Sequence, residues 1–269
     1  MRRWWAWALA RYPEARPRFS WQALLLLAFL IGCWELYVDL GGADPLLLPA
    51  PHSVAKALYV DRALLWSNFV VTAEEVLLGV LVAAAVALAL AVALHFSRTM
   101  RQAVYPLLVG SQAIPVVVLA PLFVLWLGFG IGSKLLTIAL VSFFPIVVTT
   151  LAGLAAVDPA LLKLMRTFDA PRRRTFRHVE LPSALPGILT GTKIAVAIAV
   201  IGAVFAEFTG SNSGLGYLFQ QAYAQLLMPR VYASVIILCL FAIALFALLT
   251  LIERLAVPWA YQPRGESNP

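Results

Sequence analysis

Long apolar runs separated by short polar connections dominate this chain. The runs lie approximately at Trp21–Leu40, Phe69–Phe96, Ala103–Phe129, Lys134–Leu151, Leu185–Thr209 and Val231–Val257. Each approaches or exceeds the roughly 20 residues that a helix needs to cross a hydrocarbon core about 30 Å thick. The pattern predicts an all-α integral membrane protein with about six transmembrane helices. The third run is the least regular, because Pro106, Pro115 and Pro121 interrupt it. Each proline frees a carbonyl at membrane depth, so a kinked or split helix is expected there. The Ala/Val/Leu-rich second and sixth runs are expected to face lipid. No polar stretch is long enough to bury a core of its own, and the two halves show no repeat.

Composition agrees with the pattern: 62% of residues are hydrophobic and 12% charged, about half the charge a soluble surface carries. The net charge of +7 is explained by topology and not by nucleic acid. Arg2, Arg3, Arg11, Arg16 and Arg18 precede the first run, and Arg98 and Arg101 follow the second. Lys163, Arg166, Arg172, Arg173, Arg174 and Arg177 follow the fourth, while Arg254 and Arg264 lie at or beyond the end of the sixth. The alternate connections hold only Lys56, Arg62, Lys134 and Arg230, with acidic neighbours for the first two. By the positive-inside rule both termini are cytoplasmic. The expected organisation is a basic leader at 1–20, one membrane domain at 21–257 and a tail at 258–269. The first run is too long for a signal peptide and lacks a small-x-small cleavage site.

Candidate chemistry is sparse. Cys33 and Cys239 read as small buried hydrophobes. His52, His95 and His178 are scattered, which suggests no metal site. Tryptophans such as Trp21, Trp34, Trp66 and Trp126 flank spans as an interfacial belt. Glu35, Glu74 and Glu75 read as interfacial. No clustered nucleophile, acid–base pair or metal set points to an enzyme. No Gly-x-x-x-x-Gly-Lys-Ser/Thr loop is present, so hydrolysis of ATP by that route is excluded for this chain. Gly187 and Gly191 permit close helix approach. Lys193 has two readings, lining a conduit or snorkelling to an interface. Glu207 also has two, a gate or contact for an outer partner, or a plain interfacial carboxylate.

The polar stretch from Ala155 to Pro186 is the most informative. Asp158-Pro159 has the form of a helix start, with an N-cap followed by proline in the first turn. Leu161, Leu164, Met165 and Phe168 then recur at helical spacing. Pro171 disfavours continuation, and a second helical stretch runs from Arg172 to Leu181 before Pro182 and Pro186 punctuate the return to the membrane. A basic loop lying on anionic headgroups would read the same way.

The run Leu164-Met165-Arg166-Thr167-Phe168-Asp169-Ala170 … Val179-Glu180-Leu181-Pro182 resembles the EAA loop of binding-protein-dependent ABC transporter permeases. Lys163-Leu164-Met165 stands where that pattern has Glu-Ala-Ala, and Asp169 where it has Gly; Asp tolerates the left-handed turn that Gly would allow. Leu48-Pro49-Ala50-Pro51-His52-Ser53-Val54, Ser111-Gln112-Ala113-Ile114-Pro115, Trp126-Leu127-Gly128-Phe129-Gly130, Ala206-Glu207 and Gly214-Leu215-Gly216-Tyr217 are similar to segments of the nitrate/sulfonate/taurine group. Ile201 to Glu207 and the Arg-Thr-Phe-Asp-Ala variant look most like permeases of thiamine-precursor pyrimidine uptake.

The resemblance implies a type I ABC importer permease fold in the bacterial inner membrane. It implies a separate cytoplasmic ATPase that binds ATP and Mg, an extracytoplasmic substrate-binding protein, and a second permease copy; this chain itself needs no cofactor. The coupling helix would be Leu164, Met165, Arg166, Thr167, Phe168, Asp169, Ala170, Pro171 and Arg172, closed by Leu181 and Pro182. Gln112, Pro115, Lys193 and Glu207 are the candidates for the translocation path, and Gly214 to Pro229, through Leu215, Leu218 and Phe219, for a helix that docks the binding protein or lies at the interface. The expected substrate is a thiamine-precursor pyrimidine, with an alkanesulfonate, taurine or nitrate-like anion as the alternative. A secondary transporter would want more ionisable residues within its spans.

Overall fold

The structure is a computed structural model, and it describes residues 21–44 and 46–261. The basic leader 1–20 and most of the tail, with Arg264, lie outside the described residues. The elements are α1 (Trp21–Asp39), α2 (Pro51–Val60), α3 (Arg62–Phe96), α4 (Arg98–Ser111), α5 (Val116–Leu127), α6 (Ile131–Ala155), α7 (Pro159–Thr167), α8 (Arg172–Thr175), a π-helical turn (Phe176–Glu180), α9 (Leu181–Gly210), α10 (Leu215–Ala224), α11 (Met228–Ala256) and a 3-10 turn (Pro258–Tyr261). Among the described residues five helices are long and apolar enough to cross a membrane, or six if the bent pair α4–α5 forms one span.

The irregular third run is two helices meeting at 102°. The break falls at Gln112–Pro115, where Pro115 is the N-cap of α5 and has extended backbone. Pro106 and Pro121 lie inside α4 and α5 without ending them. The short helix α2 was not foreseen. It opens with Pro51 in its first turn, and the Glu35 carboxylate accepts from the His52 backbone N–H at 3.1 Å.

Pro182 does not interrupt the return to the membrane. α8, the π turn and α9 form one 39-residue helix, Arg172–Gly210. Proline in the first turn of α9 has no N–H to give to the carbonyl four residues back. The Leu181 N–H instead bonds the Phe176 carbonyl one residue further away, which widens the helix without breaking it.

The core is the packing of α6 against α9 and α3. Lipid tails are as apolar as leucine, so burial in itself stabilises little, and close packing of small residues takes its place. Gly187 and Gly191 supply that packing. A Cβ on Gly191 would stand 2.9 Å from the Pro145 carbonyl, and one on Gly187 would stand 2.7 Å from the Thr149 carbonyl. On α3, Gly79, Ala83, Ala87 and Ala91 recur every fourth residue and are buried. This stripe packs in the core with Ala139, Ile146 and Val147 of α6, so the second run does not simply face lipid. α11 fits the lipid-facing expectation better, with only 11% of its apolar window buried. Cys33 and Cys239 are free but exposed on helix surfaces, contrary to the expected burial.

Candidate functional site

Two polar regions stand at opposite ends of the bundle. At the loop end, Asp158 caps α7 by accepting from the Ala160 N–H at 2.8 Å. The helix ends in a Schellman turn, with Asp169 N–H bonding the Arg166 carbonyl at 2.9 Å and Ala170 N–H bonding the Met165 carbonyl at 3.0 Å. Asp169 has φ 47°, the left-handed conformation expected of the residue that stands in place of glycine. Because Pro171 follows, the chain turns sharply and starts again at Arg172.

Three of the four residues in the apolar stripe of α7 are turned outward. Leu161, Leu164 and Phe168 are exposed, Phe168 by 72%. Met165 and Ala170 are half-buried, while Arg166, Thr167, Asp169, Pro171 and Arg172 are exposed around them. Leu181 and Pro182 are half-buried in the first turn of α9 and belong to the base of the loop, away from its exposed tip. His95 Nε2 meets Glu180 Oε2 at 2.9 Å and ties the end of α3 to the π turn. The Arg172 guanidinium lies 4.9 Å from the Phe96 ring centroid. A cavity of about 460 Å³ under the loop is lined by His95, Leu162, Arg166, Arg172 and Glu180, among others. Nothing in the sequence pairs His95 with Glu180, because 85 residues separate them.

At the far end, α3, α6, α9 and the start of α10 enclose a polar network. Thr72 Oγ1 donates to Glu207 Oε1 at 2.6 Å, and Glu207 Oε2 accepts from the Gly216 N–H at 2.5 Å. Asn68 Oδ1 accepts from the Gly214 N–H and Thr72 Oγ1 from the Leu215 N–H, both at 2.8 Å. Side chains thus satisfy the leading N–H groups of α10. Gly214, at φ 111°, turns the chain so closely over Glu207 that a Cβ would overlap the carboxylate. Beside it Lys134 Nζ bonds Glu75 Oε1 and Ser211 Oγ, each at 2.6 Å. A cavity of about 270 Å³ opens onto this corner past Glu74, Phe129 and Ser213.

Several expectations change here. Glu207 is 1% exposed, so it is neither an interfacial carboxylate nor a surface that an outer partner reaches. Glu75 and Lys134 are buried ion-pair partners, where the sequence suggested an interfacial acid and a loop base. Lys193 is paired with Glu253, one turn from the end of α11, at 2.5 Å and lies 5.8 Å from the Phe246 ring. Gln112 and Pro115 are exposed at the α4–α5 elbow. The four path candidates therefore make their contacts in separate places. Leu215 and Leu218 are buried in the core and cannot dock a partner; the exposed face of α10 and the turn after it is Gln220, Gln221, Tyr223 and Leu226.

Comparison with known proteins follows this geometry. Residues 79–259 match the family described as binding-protein-dependent transport system inner membrane component. The formylaminopyrimidine transport permease protein ThiX of Halalkalibacterium halodurans is 37% identical over 244 residues, covering 89% of this chain and 97% of that protein. The riboflavin transport system permease protein RibX of Chloroflexus aurantiacus is 36% identical, covering 90% and 92%. A putative aliphatic sulfonates transport permease protein SsuC of Bacillus subtilis is 32% identical, covering 95% and 94%. Among solved structures, the MetNI methionine ABC transporter in inward-facing conformations superposes with a TM-score of 0.61 at 16% identity, covering 77% of this chain and 99% of that one. That likeness concerns the fold.

Proposed function

This chain belongs to the binding-protein-dependent transport permeases, the membrane subunits of ABC importers, and from that membership we propose how it is coupled and what it carries. α7 and the turn after it are the coupling element, seated in a groove of a separate cytoplasmic ATPase that binds ATP and Mg. The observation that carries this reading is the exposed stripe Leu161, Leu164 and Phe168 on a capped helix of which no residue is buried. Phe168 is the apolar anchor; Arg166 and Arg172 make polar contacts around it. Nucleotide-driven closure of two ATPases pulls two such loops together and favours the outward-facing state, an alternating-access cycle driven by differential stabilisation.

In this reading both termini are cytoplasmic and the protein sits in the inner membrane as a pair of identical copies. The Gln112–Pro115 elbow borders the path, because its freed backbone groups need either protein or water at membrane depth. Lys193 and Glu207 act behind the path, by fixing α9 to α11 and to α3. An extracytoplasmic binding protein delivers the substrate to the far end.

The substrate we favour is an aminopyrimidine precursor of thiamine. The named specificity of ThiX over nearly its whole length supports it. The named specificity of SsuC supports an alkanesulfonate as the second reading.

The test has two stages. Tagged wild type should copurify with an ATPase in mild detergent, and Phe168→Asp should lose it while eluting as the same monodisperse species. Retention by the variant would remove the coupling assignment. The complex, reconstituted with its binding protein, should then accumulate aminopyrimidine in an ATP-dependent manner; uptake of taurine or an alkanesulfonate instead would select the second reading.

A further inference from the structure

A cavity of about 720 Å³ opens at the loop end between the end of α3, the first two turns of α4 and the start of α8. Arg98, Arg101, Gln102 and Tyr105 line it from α4, Arg172 from α8 and Phe96 from α3. The four α4 residues are spaced i, i+3, i+4 and i+7, so one helix face is turned to the cavity. Three arginines thus line one hollow whose lining holds no carboxylate, with the Arg172 guanidinium 4.9 Å from the Phe96 ring centroid in its wall. Among the described residues none of the three forms an ion pair. His95, also in the wall, is already engaged by Glu180. Converging like charges oppose one another unless an anion enters, and guanidinium is the side chain best shaped to hold phosphate.

The position of the hollow selects the source of that phosphate. Its wall also holds Leu94 and Phe96, where the apolar length of α3 ends, with Tyr105 and Pro106 of α4. A ligand there meets guanidinium charge and apolar side chains in one hollow. Basic pockets between membrane helices on the cytoplasmic side are suited to anionic headgroups. We infer that this cavity binds the phosphate of an anionic phospholipid through Arg98, Arg101 and Arg172. The bound headgroup joins α4 to the coupling loop, since Arg98 and Arg101 stand on α4 and Arg172 in the loop. The inference rests on the cytoplasmic orientation proposed above for the loop end.

The test is native mass spectrometry of the full-length permease in mild detergent with dioleoylphosphatidylglycerol, dioleoylphosphatidylcholine or inorganic phosphate added separately. Wild type should retain phosphatidylglycerol in preference to phosphatidylcholine. Arg98→Gln/Arg101→Gln should lower that retention about tenfold, the scale of a lost charge-assisted bond, and Arg98→Lys/Arg101→Lys should restore part of it. Arg173→Gln/Arg174→Gln removes the same charge outside the cavity and should leave retention unchanged. If the glutamine pair fails to fold, Gln102→Trp fills the cavity without changing charge and should also reduce retention.

Equal loss in the Arg173/Arg174 control would overturn the inference in favour of general charge. Binding of inorganic phosphate that matches or displaces the lipid would overturn it in favour of a free anion. Unchanged lipid retention with loss of copurifying ATPase in the glutamine pair would assign the surface to the ATPase. A fluorescent-protein fusion at the C-terminus reports orientation independently: if it is dark while phosphatidylglycerol still binds at the arginines, the orientation fails and the lipid site stands.

Discussion

Lys193 of α9 and Glu253 of α11 meet at 2.5 Å, with side chains 14% and 6% exposed. The pair fastens the long helix to the last span, one turn from the end of α11. Breaking such a pair from one side leaves a buried charge alone, which costs about 3–5 kcal/mol, whereas replacing both partners by apolar residues can be neutral. Lys193→Met and Glu253→Leu should each lower the thermal unfolding midpoint in detergent sharply, and the double variant should recover most of the loss. Additive losses in the double variant would show that the two side chains act independently.

Gly191 allows α9 to lie directly on α6. Its substitution by Ala places a Cβ in overlap with Thr149 Oγ1 and 2.9 Å from a backbone carbonyl. The hydroxyl can rotate away but the carbonyl cannot, so Gly191→Ala should destabilise by about 1–3 kcal/mol, as overpacking does. Gly110 in α4 has nothing within 4 Å of the same position, and Gly110→Ala should instead gain about 0.5–1 kcal/mol from helix propensity. Opposite signs in thermal unfolding are the expected result.

Asp169 closes α7 at φ 47°. Asp169→Gly should preserve or improve the turn, and Asp169→Val should strain it by about 1–2 kcal/mol. Since α7 stands clear of the core, the strain should appear as weaker ATPase copurification and slower uptake, with little change in the unfolding midpoint. A Val variant as active as the Gly variant would mean that the left-handed turn does not matter for coupling.

Glu207 joins Thr72 to the first turn of α10. Glu207→Ala leaves the Gly216 N–H without its acceptor in a buried site, a loss of about 1–3 kcal/mol, while the Thr72 hydroxyl can turn to the Asn68 carbonyl at 3.3 Å. Glu207→Gln keeps an acceptor oxygen and should lose less. Hydrogen exchange at the Gly216 amide should rise in the Ala variant and stay slow in the Gln variant.

The spans could be read from hydropathy because a 20-residue apolar run has few alternatives in a short chain. The split third helix followed from its prolines, and the turn at Asp169 from the chemistry of the residue that replaces glycine. The buried pairs were not legible. Glu75 and Lys134 are 59 residues apart and Lys193 and Glu253 are 60 apart, and each lies near enough to the end of an apolar run to look interfacial. Only the packing of α3 on α6 and of α9 on α11 reveals them as partners. The alanine stripe of α3 was misread for a related reason. Small apolar residues look alike whether lipid or another helix covers them, and periodicity alone did not separate the two.

The unbroken helix from Arg172 to Gly210 is about 58 Å long at 1.5 Å per residue. It is a lever. One arm begins in the loop that the ATPase is proposed to grip, and the other ends beside Ser211, whose hydroxyl accepts from Lys134. A tilt of about 10° around the middle of a rod that long displaces each tip by about 5 Å in opposite directions. Under the coupling proposed above, such a tilt would carry motion from one membrane face to the other without a relay of side chains between them.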